Sequence, residues 1–130
     1  MPIEYELLKN GQFVYAVASG ELTSEDLVGY DKALAVNPGI KDGFKELFDA
    51  SRITRNDITK ETVNQLVESN LQKSKDRVSG SKCAIVVSGD LSFHLAKYFE
   101  SQAADLDLTT IVFNDLSTAR IWLGISKASA

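Results

Sequence analysis

His94 and Cys83 are the single histidine and the single cysteine of a 130-residue chain. They are therefore the only side chains from which a Cys–His nucleophile pair could be built. Such a pair needs thiol and imidazole within hydrogen-bond reach. Cys83 opens the apolar run Cys83-Ala84-Ile85-Val86-Val87, whereas His94 stands beyond the turn Ser88-Gly89-Asp90. About five strand residues, roughly 17 Å of rise, separate the two, which predicts no contact. Cys83 then reads as a small core residue and His94 as the flank of a helix face. One histidine and one cysteine do not make a zinc site, and no helix face carries paired carboxylates to replace them. No catalytic set, no metal and no cofactor is expected.

Ser88-Gly89 at a strand-to-helix turn could offer backbone N–H groups to an anion. It lacks the glycines and lysine of a phosphate loop, and Asp90 would repel a phosphate, so a structural turn is expected. The richest polar stretch is Asp49–Thr59, which holds Asp49, Ser51, Arg52, Arg55, Asn56 and Asp57. In open α/β sheets, ligands and partners sit beyond the carboxyl ends of the strands. These residues are placed at that edge together with Ser88, Asp90, Asn114 and Asp115. Thr59 has the side chain of a helix N-cap. A phosphate on it would meet the positive end of the helix dipole and Arg55.

The elements that must position these residues follow from periodicity. Ile3, Tyr5 and Leu7 alternate with Glu4, Glu6 and Leu8, and Phe13 to Ala18 is a second β-prone run. Asn10-Gly11 between them suits a type I′ turn, which predicts antiparallel strands over Glu4–Lys9 and Gln12–Ser19. Thr23 caps a helix whose first turn carries Glu25 and Asp26, whose stripe is Leu27, Tyr30 and Leu34, and which stops at Asn37-Pro38-Gly39. Phe44–Asp49 reads as a short strand and Ala50–Ile58 as a loop. From Thr59, the residues Val63, Leu66, Val67, Asn70 and Leu71 keep the spacing of one buried helical face.

Ser79-Gly80-Ser81 connects to the run Cys83–Val87, apolar at every position as in a strand covered on both faces. A third helix presents Leu91, Leu95, Tyr98 and Phe99 inward. Asp105–Leu108 leads into the strand Thr109–Phe113, and Asp115 caps a last helix with Leu116, Ala119, Trp122 and Leu123. The tail from 125 to 130 is expected to fray. The order β-β-α-β-α-β-α-β-α predicts one α/β domain over residues 1–130, with its core at 3–124. Its mostly parallel sheet has about five strands, an antiparallel N-terminal hairpin strand at an edge, and four helices.

This order resembles the STAS fold of the anti-sigma-factor antagonists, and specifically the divergent SpoIIAA-like group. The resemblance covers about residues 3 to 124. It is carried by Ser19-Gly20-Glu21-Leu22-Thr23, by Leu47-Phe48-Asp49-Ala50-Ser51-Arg52-Ile53, and by Asp57 eight residues beyond Asp49. The second stretch is similar to the family's Leu-Asp-Leu-Ser strand; Asp57 stands where the family has the aspartate of Asp-Ser-Ser-Gly. The serine that partner-switching members phosphorylate is Ile58 here, and Thr59 and Lys60 replace the next serine and the glycine. A phosphorylation switch would need Thr59 or Ser51 to stand in. Members of the group are also compared with lipid-binding Sec14-type domains, which share the α/β layering.

Composition narrows the partners. With 14 basic and 18 acidic residues the net charge is −4, so neither nucleic acid nor an anionic membrane is an expected partner. No apolar run reaches the ~20 residues that span a bilayer. The N-terminal residues lack the pattern of a signal peptide, and one cysteine permits no internal disulfide, so a cytoplasmic location is expected. The resemblance and the missing catalytic set together imply a non-enzymatic module that binds a protein partner through the Asp49–Thr59 loop and the helix after it. The alternative is a carrier of a small apolar ligand or lipid, held between the sheet and the helices at Thr59–Lys75 and Asp90–Ala104.

Overall fold

The computed structural model of the chain describes residues 2–72, 79–104, 106 and 108–125. Strand β1 (Ile3–Leu8) pairs antiparallel with β2 (Phe13–Leu22), and β3 (Lys45–Asn56), β4 (Ser81–Val87) and β5 (Leu108–Phe113) continue the sheet in parallel. The spatial order is β1-β2-β3-β4-β5, so β1 and β5 are the edges and Cys83–Val87 lies inside. Among the described residues four α-helices connect or follow the strands: α1 (Ser24–Val36), α2 (Lys60–Gln72), α3 (Asp90–Gln102) and α4 (Leu116–Leu123).

Each parallel strand is added beside the last on the same side. Right-handed crossovers then deliver α1, α2 and α3 to one face of the sheet. Helix α4 follows the last strand and covers the other face. The side chains confirm the division. Val14, Ala16, Phe48, Ala50 and Val87 pack with Tyr30, Leu34 and Ala96. On the opposite face Phe13, Leu47, Ala84 and Val86 pack with Ala119 and Leu123. Strand alternation therefore sends Phe48 and Ala50 one way and Leu47 and Asp49 the other.

Local chemistry sets the helix starts. Thr23 Oγ1 accepts from Asp26 N at 3.0 Å while Asp26 Oδ2 accepts from Thr23 N at 3.1 Å, a reciprocal cap. Asp115 Oδ2 accepts from the Thr118 N–H and hydroxyl at 3.0 and 2.7 Å, which lowers its carboxyl pKa. The C-terminus of α4 ends on Gly124 in the left-handed region, and Lys45 Nζ donates to the Leu123 carbonyl at 2.9 Å.

Four expectations change. The stretch Ala50–Ile58 is not a loop: β3 continues to Asn56, and only residues 57–59 lie between strand and helix. Beyond Ala50, which is the last residue to pair with β4, β3 pairs only with the end of β2. Its outward side chains, Arg52, Thr54 and Arg55, are exposed, so the sequence shows a polar stretch where the backbone is extended. The hairpin closes with residues 9–12 instead of a two-residue turn, because Leu8 faces Phe13. Lys9, Asn10 and Gly11 all take positive φ (53°, 58° and 84°). Gly11 is required by close approach: Lys41 N donates to its carbonyl at 2.9 Å, and a Cβ there would overlap the Gly39 carbonyl.

Ser81 starts β4 and is buried instead of serving as a connector, and Ile125 is buried in the α4-side core instead of fraying. The side chains of Leu71 and Leu91, part of the Asp105–Leu108 connection, and the tail at 126–130 fall outside the described residues.

Candidate functional site

The polar residues expected to act together are divided by the sheet. Asp49 is 2% exposed on the α4 face, where its Oδ1 accepts from Ser51 N at 3.0 Å and from Ser51 Oγ at 2.6 Å. Ser88 Oγ donates to the Ser51 carbonyl at 2.9 Å. Arg52 and Arg55 are exposed, and Arg55 reaches Glu21 at 3.7 Å across the β2–β3 ribbon, a surface pair of small energetic weight.

Asn56, Asp57 and Thr59 converge on the start of two helices. Asn56 Oδ1 accepts from Ile58 N at 3.1 Å. Asp57 Oδ1 accepts from Ser24 N at 2.7 Å and so caps α1 from outside that helix. Thr59 Oγ1 accepts from Thr62 N at 3.2 Å, the N-cap its sequence position implied. The Thr62 hydroxyl is buried and meets those of Ser24 and Thr59 at 2.8 and 3.1 Å. Cys83 is buried in β4 while His94 is exposed on α3. Among the described residues no three His, Cys, Asp or Glu side chains gather as a metal site would need.

The larger feature lies between the sheet and α1, α2 and α3. A cavity of about 160 Å³, partly open to solvent, runs from the amino ends of the parallel strands, at Phe44, Ser81 and Leu108, to the carboxyl ends, at Ile53, Asn56 and Ile58. Its floor is the side-chain row Glu46, Phe48 and Ala50 on β3 beside Cys83, Ile85 and Val87 on β4. Leu27 and Leu34 of α1, Val63 and Leu66 of α2, and Leu95, Ala96 and Phe99 of α3 form its walls. Most of this surface is aliphatic or aromatic.

Polar groups stand at both ends: Asn56 Nδ2 donates to Ser92 Oγ at 3.4 Å at the carboxyl end, and a larger set lies at the amino end. Tyr30 donates its hydroxyl to Glu46 Oε2 at 2.6 Å. Burial first, and then the Glu46 carboxylate, raise the Tyr30 phenol well above its ordinary pKa. Asp31, which accepts from Ser69 Oγ at 2.7 Å, and the buried Asn70 complete that end. Tyr30 also stacks edge-on with Tyr5 and tilted on Phe48, with centroids 5.6 and 5.3 Å apart, which fixes its ring.

Sequence reasoning placed a ligand space between these layers but did not name Glu46, Tyr30 or Cys83 as its lining. The signal existed. Glu46 shares strand parity with Phe44 and Phe48, so a strand there turns one carboxyl toward the helices.

No family model and no curated protein matches the sequence. Among solved structures, the chain is similar to an uncharacterised protein of the DUF3478 family from Shewanella loihica PV-4, described as having a SpoIIAA-like fold. The TM-score is 0.55 and the identity 18%, over 93% of this chain and 91% of that one. The chain has a SpoIIAA-like α/β fold, and at that identity the likeness speaks to the fold alone.

Proposed function

We propose that this domain binds a small apolar molecule in the cavity between its sheet and helices α1 to α3. The observation that supports the reading is the cavity itself. Natural cores pack with few voids larger than a water molecule, yet a partly open pocket of about 160 Å³ remains along the main helical face. An enclosed apolar cavity of about 150 Å³ in another protein takes up benzene, which gives a scale for the volume alone. The volume suits one ring or a short branched chain.

The test uses the single thiol. Cys83 lines the cavity, so an occupant should slow its alkylation, read by intact mass. Native mass spectrometry of protein purified without detergent should show an added small mass. Ala96→Leu, which fills the cavity from α3, should abolish both effects. Absence of bound mass from several expression hosts, with alkylation unchanged by Ala96→Leu, would sink the proposal.

A second reading keeps the SpoIIAA-like fold as a protein-interaction or regulatory module. It is favoured by the β2–β3 ribbon, which extends past β4 and presents Arg52 and Arg55 to solvent. The double variant Arg52→Glu/Arg55→Glu should lose an acidic partner captured from native lysate. Retention of every co-purifying protein would remove this surface from consideration.

A further inference from the structure

We infer that β3 accepts an extended acidic peptide as an added strand, on the edge that it exposes beyond Ala50. This rests on the protein-interaction reading and gives the partner a form: a segment that alternates carboxylates with apolar side chains.

Ala50 is the last β3 residue to pair with β4, while β3 runs on to Asn56 beside β2. Over residues 51–56 one edge of the strand therefore has no neighbouring strand among the described residues. Strand β4 ends at Val87, and Ser88, Gly89 and Asp90, which turn the chain into α3, are all exposed. The Ser88 hydroxyl donates to the Ser51 carbonyl at 2.9 Å, so a side chain replaces β4 for one group. Beyond it Arg52, Thr54 and Arg55 are exposed and Ile53 is half-buried. Extended backbone with no strand beside it is a template for strand addition, where main-chain hydrogen bonds give affinity and alternate side chains give specificity.

The two sides of that edge differ. Register shifts after Val17 and after Gly20 set Arg52 opposite Ser19, Ile53 opposite Gly20 and Arg55 opposite Glu21. Partners across parallel strands share a face, so both arginines stand on the α4 side and Ile53 on the cavity side. Bulges in β3 thus gather two cations beside the edge, where strict alternation would have sent them to opposite faces. Arg55 meets Glu21 at 3.7 Å with both side chains mostly in water, a weak pair, and a guanidinium with five donors can take a second carboxylate. On the cavity side Asp90 opens α3, and Ile53, Ile58 and Val87 line the wall. Carboxylates at outward positions and apolar side chains at inward ones therefore match both faces. A second copy of the chain does not match, because two such edges laid together would set one arginine pair beside the other.

The probes are the peptide acetyl-Glu-Val-Glu-Val-Glu-amide, a counterpart with lysine at every glutamate, and two forms of the acidic peptide N-methylated either at the valines or at the glutamates. Each is titrated into the full chain at neutral pH, following backbone amide shifts and hydrogen exchange. The acidic peptide should protect amides among residues 51–56 and bind at least about tenfold more tightly than the lysine peptide. Alternate N–H groups of a strand point to opposite sides, so one methylated form should lose at least about tenfold in affinity while the other keeps it. Arg52→Glu/Arg55→Glu should reverse the preference between the acidic and lysine peptides. The methylated pair is read on the natural chain and decides even if that variant misfolds. Equal binding of the two methylated forms, or no binding of the acidic peptide, would overturn strand addition, while capture of an acidic partner from lysate would still uphold the broader reading. Protection of the same amides in the chain alone would overturn it as well, since a second copy or the chain's own segment would then hold the edge. A lysine peptide that binds as tightly as the acidic one would overturn both.

Discussion

Tyr30 shows how one side chain ties stability to the proposed site. Its hydroxyl holds Glu46 at 2.6 Å, and burial raises its pKa well above 10.0. In the unfolded chain an ordinary phenol loses its proton near pH 10. The native state therefore binds the proton more tightly, and stability falls as pH rises past that value; below it the linkage is silent. In an alkaline absorbance titration, one phenol fraction should resist ionisation until the chain unfolds, and Tyr30→Phe should delete that fraction. In urea at neutral pH the same variant should cost about 1–2 kcal/mol, the scale of one lost hydrogen bond to a half-buried carboxylate. An unchanged alkaline titration would show that Tyr30 is not held this way.

At the scale of elements, two features decide how the cavity is framed. Helix α1 is fixed at its start by Thr23 and Asp26 from within, and by Asp57 from the end of β3. The position of Tyr30 therefore depends on contacts at the far end of the helix. The β1–β2 connection is fixed by contact with the loop after α1. Gly11 sits at φ 84° against Gly39, where a methyl group does not fit. Gly11→Ala should destabilise by about 2 kcal/mol or more, combining a strained positive φ with a backbone clash. Urea midpoints compared with Gly29→Ala, at a helical glycine with open space for a Cβ, would check it. Equal midpoints would mean that the two loops do not need this contact.

At the scale of the molecule, the sheet separates two surfaces. The three-helix face holds the cavity, while the ribbon beyond β4 carries Arg52 and Arg55 away from either core. Exposed substitutions remote from the core commonly change stability by no more than about 0.5 kcal/mol. Arg52→Glu/Arg55→Glu should stay near that limit and leave Cys83 protection by an occupant unchanged. Loss of cavity binding in that variant would mean that ribbon and cavity form one functional unit. No described helix is long and apolar enough to cross a membrane.

The order of elements, the interior position of Cys83–Val87 and the caps at Thr23, Thr59 and Asp115 were written in the sequence. Each depends on short-range rules: alternation of two, helical spacing, and a side-chain oxygen one turn before the N–H it accepts. The extension of β3 to Asn56 was not legible, because its partner is the end of β2, some thirty residues away, and its outward residues are polar. The division of the Asp49–Thr59 residues between two sheet faces was hidden for the same reason, since reading a strand as a loop discards its alternation. Above all, a cavity is a difference between the volume that three helices enclose and the volume that their side chains fill. Residue types supply the second quantity, and only the packed structure supplies the first.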